Sequence, residues 1–438
     1  MPENILGLVP DTWILSTLAS LCDSTGGDIQ TGPFGSQLHA SDYVKDGIPS
    51  VMPQDIGDNV IKENFAARVS AEDARRLSRH LLREGDIVYS RRGDVERRAL
   101  VRRSEAGWLC GTGCLRIRFG PGADPRFISY YLGHPGIRRW IVRHAVGATM
   151  PNLNTTILGA VPIVTPPLQE QQAIADVLSA LDDKITINKR IARTTSELCR
   201  AIMQALWKQG NVASLTTEST TIDQGWRRTT LGALCAEGGG SIQTGPFGSQ
   251  LHASDYVESG IPSVMPQNIG DNVILEEGIS RITEADIDRL SKYQISEGDI
   301  IYSRRGDVKR RALVRSRETG WLCGTGCLRV RAGESMEPLL LSHYLGEPEA
   351  QQWIHRHAIG ATMPNLNTAI LGALPVVVPP AAVRASVNER LAALDARSIA
   401  AMSENNTLAT LRDTLLPQLV TGKIRVKDAR RVVEDATS

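Results

Sequence analysis

Between Pro166 and Gln209 apolar residues recur at alternating steps of four and three: Ile174, Leu178, Leu181, Ile185, then Ala192, Cys199, Ile202 and Leu206. This heptad spacing predicts one long helix with an apolar stripe. The Pro166-Pro167 pair suits its start and Gly210 its stop. At about 1.5 Å per residue, some forty residues span roughly 60 Å, which marks a spacer and not one wall of a compact core. Asn188 and Thr195 interrupt the seam. Two readings of Asn188 stand side by side: a buried polar residue that fixes coiled-coil register, or the solvent face of an ordinary amphipathic helix.

Before that helix the pattern changes to short runs. Ile48–Pro53 reads as a strand, Glu72–Arg83 as a modest helix, and Gly85–Ser90 as a turn and strand delivering Arg91 and Arg92 at its end. Ala99–Arg102 and Leu115–Phe119 read as strands, Phe127–His144 as helical, and Gly147–Asn154 as a polar loop. This mixture lacks the regular alternation of a doubly wound sheet.

The peptide TGPFGSQLHASDYV occupies Thr31–Val44 and again Thr244–Val257. The offset of 213 positions (244 less 31) persists without a gap, pairing Trp13 with Trp226, Ser90 with Ser303 and Pro151 with Pro364. The chain is therefore a tandem duplication of two long units, too few and too large for a solenoid. The second unit ends in its own helix after Pro379-Pro380, with Val387, Leu391, Leu394, Asn405, Leu408, Leu411 and Leu415 in its seam and Pro417 placed to end or kink it. The expected fold class is α+β: two homologous mixed α/β domains separated by two long helices that pair as an antiparallel coiled coil. The boundaries read as a first domain over 1–165, a central helix over 166–210, a polar linker over 211–224, a second domain over 225–378, a C-terminal helix over 379–425 and a tail over 426–438.

Composition adds little to this. With 438 residues, 42% hydrophobic and 22% charged, the chain has the makeup of an ordinary globular protein, and no run is apolar enough for a membrane span. The first residues lack the pattern of a secretory signal, so a cytoplasmic location is expected. Seven cysteines, six of them paired by the duplication, point to reduced thiols. The Cys-Gly-Thr-Gly-Cys elements lack a second ligand pair, so no metal is expected.

The net charge is +1, yet the arginines cluster: Arg91, Arg92, Arg97, Arg98, Arg102 and Arg103 face only Asp94 and Glu96, and Arg304 to Arg317 repeats the theme. Either these form a basic face that neutralises phosphates or they decorate a solvated hairpin. Gly32, Pro33 and Gly35 impose tight turns that bare backbone amides, with glutamines beside them suited to adenine edges. No phosphate-binding glycine motif is present, and ATP binding is not expected. The candidate DNA contacts are Gln30, Thr31, Phe34, Gly35, Ser36, Gln37, Arg91, Arg92, Asp94, Thr149, Asn152 and Asn154. Their counterparts are Gln243, Thr244, Phe247, Gly248, Ser249, Gln250, Arg304, Arg305, Asp307, Thr362, Asn365 and Asn367.

Five stretches together resemble the specificity subunit of a type I restriction-modification system: Thr31–Gln37 (TGPFGSQ), Gly85–Gly93 (GDIVYSRRG), Gly147–Asn154 (GATMPNLN), Pro166–Ile191 and Leu411–Ile424. The resemblance implies two target-recognition domains held by two helices acting as a ruler, on a non-catalytic chain. It also implies double-stranded DNA as ligand, and as partners two modification subunits that methylate adenine with S-adenosylmethionine and restriction subunits that use ATP. No cofactor is expected on this chain itself. The alternative is a stand-alone DNA-modifying enzyme, but no methyl-transfer motif or nuclease constellation of carboxylates is present.

Because the loops Gln30–Val44, Tyr89–Val95 and Gly147–Thr155 are identical in both copies, both domains should read the same bases. An antiparallel helix pair would relate the domains by an approximate two-fold axis, so an interrupted palindrome is expected. One exchange, Asp55 against Asn268, is a candidate base-reading difference, because a carboxylate only accepts hydrogen bonds whereas an amide also donates.

Overall fold

A computed structural model describes residues 7, 9–62, 67–147, 149–216, 223, 225–247, 250–360 and 364–437. The chain divides into two compact units, Met1–Lys189 with Ser403–Ser438, and Arg190–Met402. Each long helix is thereby shared: Leu168–Gln209 and Ala381–Leu419 both contribute a part to either unit. Among the described residues no helix is long and apolar enough to cross a membrane.

In the first unit a five-stranded sheet runs in the order Asp28–Thr31, Cys114–Arg118, Ile87–Ser90, Arg98–Leu100, Asp58–Asn59. All neighbours are antiparallel except the last pair. Alternation along Ile87-Val88-Tyr89 divides this sheet between two cores. Ile87 and Tyr89 pack with Leu115, Ile117, Phe127 and Ile128, whereas Val88 packs with Val51, Ile56, Ala99 and Cys114. Both faces are thus covered, which is why the strand is wholly buried. A smaller sheet joins Arg68–Val69, Tyr43–Val51 and Leu109–Cys110, and Ile14–Thr17 pairs with Pro162–Thr165 just before the long helix. The second unit repeats the three sheets strand for strand.

Three elements differ from the sequence reading. The helical stretch expected over Phe127–His144 is two helices, Pro125–Leu132 and Pro135–His144. Pro135 cannot continue a helix, and at Gly133 an added Cβ would meet the Arg98 guanidinium at 2.1 Å, so the break is also a packing site. The helix expected over Glu72–Arg83 closes at Arg76, because the chain turns through Ser78–His80 to bury His80. The expected tail contains a helix, Val426–Thr437, with Ala429 buried in the first core and Val426 and Val433 packed on it. Their three- and four-residue spacing carried that signal.

The long helices meet within the first unit. Asp182 accepts from Arg412 at 2.9 Å and from the Tyr130 hydroxyl at 2.7 Å, and Asn188 Nδ2 donates to Glu404 at 2.8 Å. As one residue number rises its partner's falls, so the segments run antiparallel. Asn188 is 1% exposed, which places it in the seam and not on the solvent face. In the second unit Cys199, Met203 and Leu206 share a core with Val387 and Leu391.

Asp55 and Asn268 do not read bases in this fold. Both are buried at the end of short 3-10 turns, where Asp55 Oδ2 accepts from Met52 N at 2.8 Å and Asn268 Oδ1 from Met265 N at 3.1 Å. The amide also donates to Leu275 O at 3.2 Å and Glu277 O at 3.3 Å, which a carboxylate cannot do. Burial pushes the Asp55 carboxyl above its ordinary range, against smaller opposing effects of the Met52 N–H and Lys62. Asp55→Asn should therefore stabilise the first unit near neutral pH by about 0.5–1.5 kcal/mol for each hydrogen bond added. The raised folded pKa means that the wild-type deficit is absent below the unfolded value and develops as pH rises through the folded one. Urea melts of both proteins at about pH 3.5 and pH 7 test this; a variant no more stable than wild type at pH 7 would contradict it.

Candidate nucleic-acid interface

The three candidate loops of each unit are separate in sequence and tied together by backbone. Gly32 N donates to Cys114 O at 2.9 Å and Arg91 N to Gly113 O at 2.8 Å, so the Gly111-Thr112-Gly113 turn holds the glycine-proline loop on one side and the arginine turn on the other. Thr112 Oγ1 adds a bond to Pro33 O at 3.1 Å. This packing needs glycine at position 32, where a Cβ would lie 2.1 Å from Gly111 O. The asparagine loop joins through Leu153 N to Arg91 O at 2.8 Å and Gly93 N to Pro151 O at 3.0 Å. Val146 and Asn152 exchange both backbone bonds, at 3.0 and 2.9 Å, and close a hairpin whose tip carries Thr149 and Met150.

The second unit repeats the ties: Gly245 N to Cys327 O at 2.9 Å, Arg304 N to Gly326 O at 2.8 Å, Leu366 N to Arg304 O at 2.8 Å and Gly306 N to Pro364 O at 3.1 Å. Gly248, Ser249 and Thr362 lie outside the described residues. The Cys-Gly-Thr-Gly-Cys elements, whose spacing first raises the question of a metal, serve as these braces. Their cysteines are buried thiols: Cys114 Sγ donates to Val51 O at 3.2 Å, and burial pushes Cys110 up to about 12. Among the described residues no three His, Cys, Asp or Glu side chains gather as a metal site requires.

The arginines that cluster in sequence do not form one basic face. Arg98 is buried, with Nε donating to Ser129 O at 2.6 Å and Nη1 to Asp58 at 3.1 Å, and Arg97 pairs with Asp94 at 2.6 Å. In the second unit Arg311 donates to Ser342 O at 2.7 Å, Arg315 binds Asp395 at 2.8 Å, and Arg317 lies 2.8 Å from Glu318. Sequence proximity misled because alternate residues of a strand point to opposite faces. What remains is sharper. Among the described residues the side chains of Arg91, Arg92, Arg102 and Arg103 have no acceptor, but only the first two are matched by partnerless arginines in the second copy, Arg304 and Arg305, and the Nε atoms of Arg91 and Arg304 are out of contact with solvent as well. A buried N–H without an acceptor is costly, and the same atom is left so in both copies.

The candidate amides sort in the same way. Gln30 Oε1 accepts from Arg116 at 2.8 Å and Gln243 Oε1 from Arg329 at 2.7 Å. Gln37 and Gln250 turn back to the Phe34 and Phe247 N–H groups at 3.3 and 3.4 Å. Asn154 and Asn367 cap the short helices Thr155–Gly159 and Thr368–Gly372. A bidentate contact with adenine needs both ends of an amide, and these side chains have the oxygen occupied. Asn152 and Asn365 keep their side chains without a partner among the described residues. Phe34, Gly35, Ser36, Arg92, Asp94, Thr149, Phe247, Arg305 and Asp307 are exposed, whereas Thr31, Gln37, Arg91, Thr244 and Arg304 are half-buried.

Two further pairs join the surface that sequence reading passed over. Arg143 and His144 close the helix leading into the Val146–Asn152 hairpin, and Arg356 and His357 do so in the second unit; all four are exposed. His144 stacks on Trp140 with ring centroids 3.9 Å apart, and His357 on Trp353 at 3.8 Å. Identity of Trp, Arg and His at matched positions of two helices that differ at five of their ten positions was the available signal. Beneath the glycine-proline loop the buried His80 has its pKa pulled below the ordinary value, by burial first and Arg79 second.

Residues 41–194 match the model of the type I restriction modification DNA specificity domain. The chain is 24% identical to the type I restriction enzyme MjaVIII specificity subunit of Methanocaldococcus jannaschii, over 64% of this chain and 66% of that one. It is 23% identical to the putative MjaX specificity subunit of the same organism, over 96% of each. Its fold is like that of the type I restriction-modification S subunit from M. genitalium, with a TM-score of 0.64 over 94% of this chain and 96% of that one, at 17% identity. Residues 41–194 thus match a type I restriction modification DNA specificity domain, and nearly the whole chain is similar in sequence and fold to type I restriction-modification specificity subunits.

Proposed function

We propose that this chain is the non-catalytic DNA-reading subunit of a type I restriction-modification complex, binding a two-part duplex target with one loop cluster of each unit. The observation that carries the reading is the pair of partnerless arginines in each cluster, Arg91 with Arg92 and Arg304 with Arg305, fixed by backbone bonds on both sides. Guanidinium groups so placed suit phosphate oxygens or the O6 and N7 edge of guanine, and Asn152 and Asn365 suit adenine. The stand-alone enzyme reading finds less support, since the acidic residues nearest the loops are paired with arginine, as Asp94 is with Arg97. In this proposal S-adenosylmethionine and ATP act on partner subunits, and the long helices carry two modification subunits, one for each half of the target.

Arg91→Ala with Arg92→Ala should weaken DNA binding and flatten its salt dependence by about one unit of slope for each phosphate no longer neutralised, while leaving thermal stability unchanged. Arg98→Ala, which removes a buried paired guanidinium, should instead lower stability by about 3 kcal/mol or more. Unchanged affinity and salt slope in the double variant would overturn the assignment.

The identical loops lead to an interrupted target whose halves are inverted copies, and with Asp55 and Asn268 buried no difference between the halves is expected. Mapping methylated bases in host DNA reports the target directly. Half-sites that differ at more than one position would refute the palindrome. Mass measurement of the co-expressed complex should find two modification subunits on each specificity chain; a single one would contradict that assembly.

A further inference from the structure

Each loop cluster carries a phenylalanine that is more than half exposed. Phe34 is 56% exposed and Phe247 is 60% exposed. Isolated apolar residues on a surface are ordinary, but these two are held in place. Pro33 beside Phe34 is buried, its carbonyl is fixed by Thr112, and the Phe34 N–H is held by Gln37. Gly35 follows with φ of 59°, a left-handed turn that favours glycine and throws the ring outward. One residue from Thr112, the Gly113 carbonyl anchors the Arg91 N–H, so the Phe34 loop and the partnerless Arg91 are braced by the same turn. In the first unit the hairpin tip adds Met150, 62% exposed.

A protruding apolar side chain on a surface that also carries partnerless cations matches a known way of deforming duplex DNA, in which Phe, Leu or Met enters a base step and unstacks it. We propose that Phe34 and Phe247 are wedge residues, each opening one base step of its half-site while the neighbouring arginines hold the backbone. This rests on the DNA-reading function proposed above. The choice of duplex DNA over a protein partner follows from the cluster each ring belongs to, in which a glycine turn and the partnerless arginines Arg91 and Arg92, or Arg304 and Arg305, share one braced set of loops. A wedge needs a rigid mount, because a mobile loop would fold the ring back sooner than unstack bases. Phe34 has that mount through Thr112, Gln37 and Gly35, and the Phe247 N–H is likewise held by Gln250 at 3.4 Å.

The test uses the full chain and a duplex selected by it from a random library, with 2-aminopurine placed at successive positions and an end label reporting binding by anisotropy in the same samples. Wild type should raise 2-aminopurine fluorescence several-fold at one step of each half-site. Phe34→Ala with Phe247→Ala should abolish the rise and weaken binding without changing the salt slope, since no charge is removed. Phe34→Leu with Phe247→Leu should keep the rise, because leucine also serves as a wedge. Binding by wild type with no rise at any step, or a rise that survives in the alanine variant, overturns the wedge and leaves the DNA reading standing. Failure of wild type to bind any duplex overturns the DNA reading and the wedge with it.

Discussion

The contact on which the candidate surface depends is the approach of one backbone to another at Gly32 and Gly111. With no side chain at position 32, the glycine-proline loop lies directly on the Gly111-Thr112-Gly113 turn, which in turn fixes Arg91. Three loops distant in sequence thereby become one surface. Main-chain bonds suit this task because they hold position while leaving side chains free to meet a ligand. The same logic explains why Cys110 and Cys114 are buried thiols: they seat the brace in the second core, between the sheet and Val51.

That brace also separates two kinds of arginine. Arg98, Arg116 and Arg118 lie along the sheet and find carboxylates or carbonyls, so each locks one strand to a neighbouring element. Arg91 and Arg92 leave the sheet at the end of Ile87–Ser90 and find none. Charge that is neutralised internally contributes to rigidity, whereas charge left over contributes to binding. This is how a chain of net charge +1 presents a local surface suited to phosphate. Acidic residues such as Asp58, Asp86 and Asp182 are spent within the fold.

The long helices carry a similar division. Leu178, Leu181 and Leu415 supply apolar burial in the first unit, while Asp182 with Arg412 and Asn188 with Glu404 select which residues lie opposite one another. Apolar seams tolerate sliding by a turn; a half-buried ion pair and a buried amide do not. Their second-unit counterparts differ: Asp395, equivalent to Asp182 in the duplication, binds Arg315 of the domain instead. Two copies with identical candidate loops thus mount those loops on helices that are locked by different polar contacts.

Read alone, the chain of residues establishes the duplication, the extent of the long helices, the seam position of Asn188 as one of two readings, and the positions of the three loops. These are local or periodic properties, set by proline, glycine and apolar spacing. It also carries the signal of the Val426–Thr437 helix, which reads at first as a tail. Which polar side chains are free is settled only by folding. Gln30, Asn154 and Arg98 are as polar in sequence as Asn152 and Arg91, but their hydrogen bonds are taken by Arg116, by a helix end and by Ser129 with Asp58. The partners lie up to 86 residues away in the chain, and no local pattern encodes such pairings. Asp55 is the plainest case, a carboxylate that looks like a surface reader and is buried as a turn cap, because it accepts from Met52 N and its neighbour Ile56 is buried in the core.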